Sequence, residues 1–207
     1  MKKIMGLALL LVCFTSNAQE GKLWTEADRK YLLENLARTR DELIKETQGL
    51  TTAQYNFKKS NERWSINQVV EHLAIWELLF CRDISRSINA KPQPEFNASA
   101  KPDSYYSTFI MEEAVHVTTD FTKPFTYTVP MGINDLKNNL AWFQKMRNES
   151  VDYIKIAKED LRSYYRNSGS DNIHQVYIYV FGHVDRHLRQ IKKVKQHAIH
   201  SDISNAV

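Results

Sequence analysis

The 207 residues carry 28 lysines and arginines against 24 aspartates and glutamates, a formal net charge of +4. Removing Lys2 and Lys3 with an N-terminal leader leaves 26 against 24, too even a balance for a protein built to bind nucleic acid. The two cysteines are Cys13, inside that leader, and Cys81, so a disulfide framework is excluded and the fold must be held by packing.

The leader is read from three features in order. Met1, Lys2 and Lys3 give a positive start, residues 4–14 an apolar run, and Ser16, Asn17 and Ala18 a small-residue cleavage signal. The run is about half the length of a membrane-spanning helix, so it predicts a secretory signal peptide over residues 1–18 rather than an anchor. Val12 before Cys13 argues against a lipoprotein cleavage site, which wants a small residue there. The mature protein, residues 19–207, is then one exported domain, periplasmic or secreted, with no membrane span.

Residues 25–50 open on a capping box, Thr25 with Asp28, and repeat Leu32, Leu36, Leu43 and Leu50 at helical spacing. A polar turn occupies residues 54–63. Trp64 and Ser65 then start a second helix, with Val69, Leu73, Trp76 and Phe80 spaced by three and four, ending near Ala90. Pro92, Pro94 and Pro102 make residues 91–101 a loop, and residues 103–119 read as a short inserted helix. Residues 123–130, aromatic and β-branched between two prolines, are an extended segment at most. Helical spacing resumes over residues 134–165 through Leu136, Leu140, Phe143, Met146, Ile154 and Leu161, with a candidate break near Asn148. After the turn at Ser168, Gly169 and Ser170 a last helix spans residues 172–197, with a basic end at Lys192, Lys193 and Lys195. The pattern predicts an all-α fold: a four-helix bundle, short turns joining antiparallel neighbours, with a short helix and loop inserted between the second and third long helices.

His183 and His187 are four apart on the last helix, so both imidazoles leave one face roughly 6 Å apart along the axis. That spacing suits chelation but is a weak signal alone. The face adds weight, because both fall in line with Val176, Val180, Ile191 and Val194, the stripe predicted to face the interior. His72 lies likewise among Val69, Trp76 and Leu79 on the second helix. A single such histidine is most often a hydrogen-bonded core residue, but three pointing into one small core are costly unless something satisfies them. His72, His183 and His187 are therefore the candidate ligands of one divalent ion. Three protein ligands leave a coordination position open, which is the catalytic rather than the structural pattern. Zinc is the default because imidazole suits it and it needs no redox partner, with nickel or iron as alternatives. Cys81, nine residues past His72, is turned away from it around the helix and cannot readily close the site, and Glu71 turns about 100° away from it.

The stretches WSINQVVEHL, residues 64–73, and GHVDRHLRQI, residues 182–191, resemble the two signature segments of the DinB-like superfamily, and residues 143–147 are similar to its third-helix motif. The resemblance spans nearly the whole mature chain, with only the two histidine segments sharp. It implies a four-helix bundle with a metal on three histidines, here His72, His183 and His187, and supporting roles for Gln190 and Arg147. It also implies a function: characterised relatives are metal-dependent thiol S-transferases acting on low-molecular-weight thiols, and others are described as metal-dependent hydrolases. The leader sets this chain apart from most of them. A reading from another class also stands, a non-catalytic module that binds a small molecule or metal, since no acid or base partner is evident beside the histidines. The expected partner is a small-molecule substrate or ligand, with a homodimer one of the assemblies open to it.

The other histidines, His116, His174, His197 and His200, are not expected to hold the ion. The aromatic residues Tyr105, Tyr106, Phe109, Phe121, Phe125 and Tyr127 form either a satellite hydrophobic cluster or a lid.

Overall fold

A computed structural model describes residues 23–112, 127–166 and 171–205. The leader therefore lies outside the described residues, as do Phe121, Phe125, His116 and the turn at residues 168–170. Helix α1 (Glu26–Thr47) starts at Thr25, whose hydroxyl accepts from the Asp28 amide while the Asp28 carboxylate accepts from the Thr25 amide at 2.8 Å. Each half of this box satisfies a backbone group that the first helical turn leaves unpaired. The same device starts α2 (Thr52–Asn56), with Thr51 and Gln54, and α3 (Ile66–Ile88), with Ser65 and Gln68. Helix α4 (Asp103–Met111) follows a 3₁₀ turn (Pro94–Ala98), α5 (Leu136–Ile156) is capped by Asp135, and a two-residue hairpin, β1 (Tyr165–Arg166) and β2 (Asp171–Asn172), leads into α6 (Ile173–Asn205). No helix of the described residues is long and apolar enough to cross a membrane.

The long helices α1, α3, α5 and α6 form the bundle, each presenting an apolar stripe inward. Their order is not the simple hairpin arrangement. Helix α3 packs on α5 and α6, and α1 also packs on α5 and α6, so the consecutive pairs α1/α3 and α5/α6 lie across the diagonals. The connections at residues 48–65 and 157–172 are long enough to cross an end of the bundle, and α2 within the first packs on both α3 and α6.

Helix α5 runs through Asn148 without a break and stops at Ile156, nine residues short of the helix expected there. The Arg29 guanidinium explains the stop, donating to the carbonyls of Ile154 and, at 2.8 Å, Ala157, which a helix end leaves unsatisfied. Beyond it Asp160 accepts from the amides of Leu23 and Trp24, and Leu161 is fully buried from a loop. Its helical spacing was coincidental: the core wanted an apolar side chain, not a further turn of helix. Helix α6 in turn extends past His197, and α4 ends at Met111, the remainder of the expected inserted helix lying outside the described residues.

The interior has two apolar clusters. One gathers Leu32, Leu36, Phe80, Ile84, Ile154, Leu161, Ile173 and Tyr177; the other Leu43, Trp64, Ile66, Val69, Leu73, Phe143, Val184, Leu188 and Ile191. Helix α4 is held close to α6 at Gly182, where a Cβ would come within 2.5 Å of Ile110 Cδ1. The missing side chain lets the inserted helix lie directly over the turn that carries His183.

Candidate metal centre

Adjacent packing of α3 and α6 brings His72 against His183 and His187. The rings lie in mutual contact, centroids 4.6 to 5.2 Å apart, and one ligand nitrogen from each falls within 4.8 Å of the others. The Nε2 atoms of His183 and His187 are 3.1 Å apart. Two imidazoles on one ion, each at about 2.0–2.1 Å from it, have their nitrogens at a similar separation. His72 and His187 are buried and His183 is half-buried.

The remaining ring nitrogens fix the tautomers. His72 Nδ1 is 2.6 Å from the Thr128 carbonyl, which can only accept, so Nδ1 carries the proton and Nε2 the lone pair. His187 Nδ1 donates to Gln190 Oε1 at 2.9 Å, with the same consequence. Both arrangements are those by which an outer partner orients a metal-ligating imidazole. In the metal-free protein, His183 Nε2–H is then the donor to His187 Nε2.

Burial holds all three rings neutral. It lowers the His72 pKa to about 4 against the opposing effect of the Thr128 carbonyl. For His187 burial and the neighbouring His72 charge bring it to about 3, and for His183 burial, His187 and His72 push it well below the ordinary value. In the unfolded chain these rings protonate near 6.5. As pH falls below 6.5 the unfolded chain therefore takes up protons first, and stability that is complete above that pH is lost down to about pH 4 and below. Urea unfolding of the metal-free protein at pH 7.5 and pH 5 should show a lower midpoint at pH 5. Equal midpoints would show that the rings are not held neutral.

The loop that carries Thr128 is clamped by α3 itself. Glu71, buried, accepts from the amides of Met131 at 3.0 Å and Gly132 at 2.7 Å. Gly132 has a φ of 70°, a left-handed conformation that glycine adopts without strain. Asn67, one turn before Glu71, donates to the Asn134 carbonyl at 2.9 Å. Glu71 does turn away from the histidines, as its position predicts, but through the loop it orients His72. Sequence reading missed this because the contact runs to a backbone about 60 residues away. Glu71→Ala should free the loop and weaken divalent-metal binding about 10- to 100-fold with unchanged helix content, the effect expected of a lost outer partner. Zinc titration beside circular dichroism measures both, and unchanged affinity would show that the clamp does not serve His72.

Other candidate residues go elsewhere. Cys81 faces α5, its thiol 3.5 Å from the Met146 carbonyl and from Ser150 Oγ. His174 is buried near the start of α6, where Nδ1 accepts from Trp24 Nε1 at 3.2 Å and Nε2 lies 3.4 Å from Asp103. Arg162 links that same Asp103 to Asp28, so this is a staple between α1, α4 and the loop before β1. Tyr105 contacts both Tyr106 and Phe109 on α4, Tyr106 being buried with its hydroxyl donating to Asp171 and Tyr105 exposed. Tyr127 is exposed. Arg147 is fully buried in a bidentate pair with Glu77, Nε to Oε2 at 3.0 Å and Nη2 to Oε1 at 2.5 Å.

A four-helix bundle with three inward imidazoles on two packed helices defines a helical-bundle protein with a donor set that fits one divalent ion. The chain belongs to the DinB superfamily, whose family profile matches residues 35–191. Among solved structures it is similar to YfiT from Bacillus subtilis, a "probable metal-dependent hydrolase with an unusual four-helix bundle topology", at 13% identity and a TM-score of 0.49, over 84% of this chain and 89% of that one. No curated protein matches the sequence.

Proposed function

We propose that the protein is an exported metal-dependent enzyme, a hydrolase or thiol S-transferase, with His72, His183 and His187 holding one divalent ion, zinc by default and nickel or iron as alternatives. The observation that supports this reading is the set of three neutral imidazoles with one ring nitrogen from each within 4.8 Å of the others, two of them oriented from behind by Thr128 and Gln190. When bound, such an ion supplies Lewis acidity and a nucleophile active near neutral pH. The chain's own contribution is the orientation of the rings, the exclusion of protons from them by burial, and the aromatic wall of Trp64 and Trp76 beside His72. Export rests on the three-part leader over residues 1–18.

One observation favours the non-catalytic alternative. Among the described residues no carboxylate joins the histidine cluster, and the neighbouring Glu71 is committed to the loop amides. Metal analysis of protein from the native host, followed by turnover of activated esters and of a thiol with an electrophile, decides between them. Activity that needs the metal supports the enzyme; bound metal with turnover of neither class supports the binding module. Mass spectrometry of the same material should find an N-terminus near Gln19, and an intact Met1 would overturn export.

A further inference from the structure

A groove of about 610 Å³ runs beside the histidines on the outside of α6. Its volume is that of a small-molecule site rather than a macromolecular surface. Among the described residues, Lys59, Arg63, Arg186, Arg189 and Lys193 line it, against the single carboxylate of Glu112. That local excess of four positive charges is larger than the excess of 26 over 24 left in the chain once Lys2 and Lys3 are removed. Five cations gathered around one concavity repel one another, and an anionic occupant relieves the repulsion.

Two of these cations are positioned by helix α4. Arg189 rests on the Ile110 carbonyl at 3.3 Å and Met111 Sδ at 3.2 Å, and Arg186 donates to the Glu112 carbonyl at 2.9 Å. The partners of Arg189 are neutral, and among the described residues neither Arg189 nor Lys193 forms a salt bridge with a carboxylate. The groove also shares its wall with the histidine centre. Gln190 lines it while accepting from His187 Nδ1, and Trp64 lines it while its ring contacts His72 and His187.

We propose that this groove binds the anionic part of the substrate, a small molecule carrying at least two carboxylate or phosphate charges. The assignment rests on the metal-dependent reading for what happens next to it, since the groove lies one side chain from His187. Ionic recognition of this kind is screened by salt and is lost when the lining charge is reversed. Binding is measured by calorimetry on the full-length purified protein, with and without added zinc, using glutarate and glycerol 3-phosphate as dianions and dimethyl glutarate and glycerol as their uncharged counterparts. Expected is binding of one or both dianions, weakening as salt rises, with the neutral partners binding at least about tenfold more weakly. The Arg189→Glu, Lys193→Glu double variant should lose at least about tenfold in dianion affinity with zinc content unchanged, and Lys192→Glu, outside the groove, should lose far less. Glutarate alone would assign a carboxylate substrate and glycerol 3-phosphate alone a phosphate. Neutral compounds binding as well as the anions, no binding of either dianion, or a double variant with wild-type affinity would each overturn the proposal. Dianion binding by protein that takes up no zinc, nickel or iron when each is offered would retain the groove and sink the metal reading instead, so the two fail separately.

Discussion

His183→Ala should lose its metal and keep its fold. His183 supplies the nitrogen closest to His187, and removing a direct ligand should weaken binding by more than the roughly 10- to 100-fold cost of losing an outer partner. The metal-free fold feels a smaller loss. His187 Nε2 is left as a buried acceptor without its donor, at about 1–3 kcal/mol, which for a domain of this size lowers the melting temperature by roughly 2–4 °C per kcal/mol. Against this stand two apolar clusters in which each fully buried large side chain contributes about 1.5–3 kcal/mol. The expected product is a helical, metal-poor protein that, on the enzyme reading, has no activity. Circular dichroism and metal content on one sample read both halves. Stoichiometric metal in the variant would remove His183 from the ligand set, whereas outright unfolding would make the ion structural and weaken the case for an open catalytic position.

Glu77→Ala should destabilise the fold more than any single change at the histidines. Arg147 has no exposure, and besides Glu77 its guanidinium donates to the Leu36 carbonyl at 3.0 Å and Thr39 Oγ1 at 2.7 Å, neither of which carries charge. Deleting Glu77 leaves a cation buried between three helices. Breaking a buried pair from one side costs about 3–5 kcal/mol, equivalent here to a fall of roughly 6–20 °C in melting temperature. Removing both partners should be much milder, because Glu77→Leu with Arg147→Met replaces the pair by apolar groups and leaves no charge behind. Calorimetric melting of the two variants tests the argument. A Glu77→Ala protein within about 1 kcal/mol of the parent would mean that water reaches Arg147.

The polar layer formed by this pair is only half legible in the sequence. Arg147 was singled out by resemblance, but its partner sits 70 residues earlier and shares no local pattern with it. The same holds for Thr128 and Arg29, whose roles are contacts between segments distant in the chain. Their local sequences carry no trace of the carbonyls they serve or occupy.

Local periodicity, capping residues and residue type, by contrast, were sufficient for much of the molecule. They determined the four long helices, the starts of α1 and α3 at Thr25 and Ser65, and the inward faces of His72, His183 and His187, because each depends on interactions within a turn or two of helix. The tertiary structure alone decided that consecutive long helices lie diagonally, that α5 ends at Ile156, that Glu71 serves His72 through a loop, and that five cations meet in one groove. Each of these results from contact between segments far apart in sequence, where the deciding energy belongs to neither segment until the chain has packed.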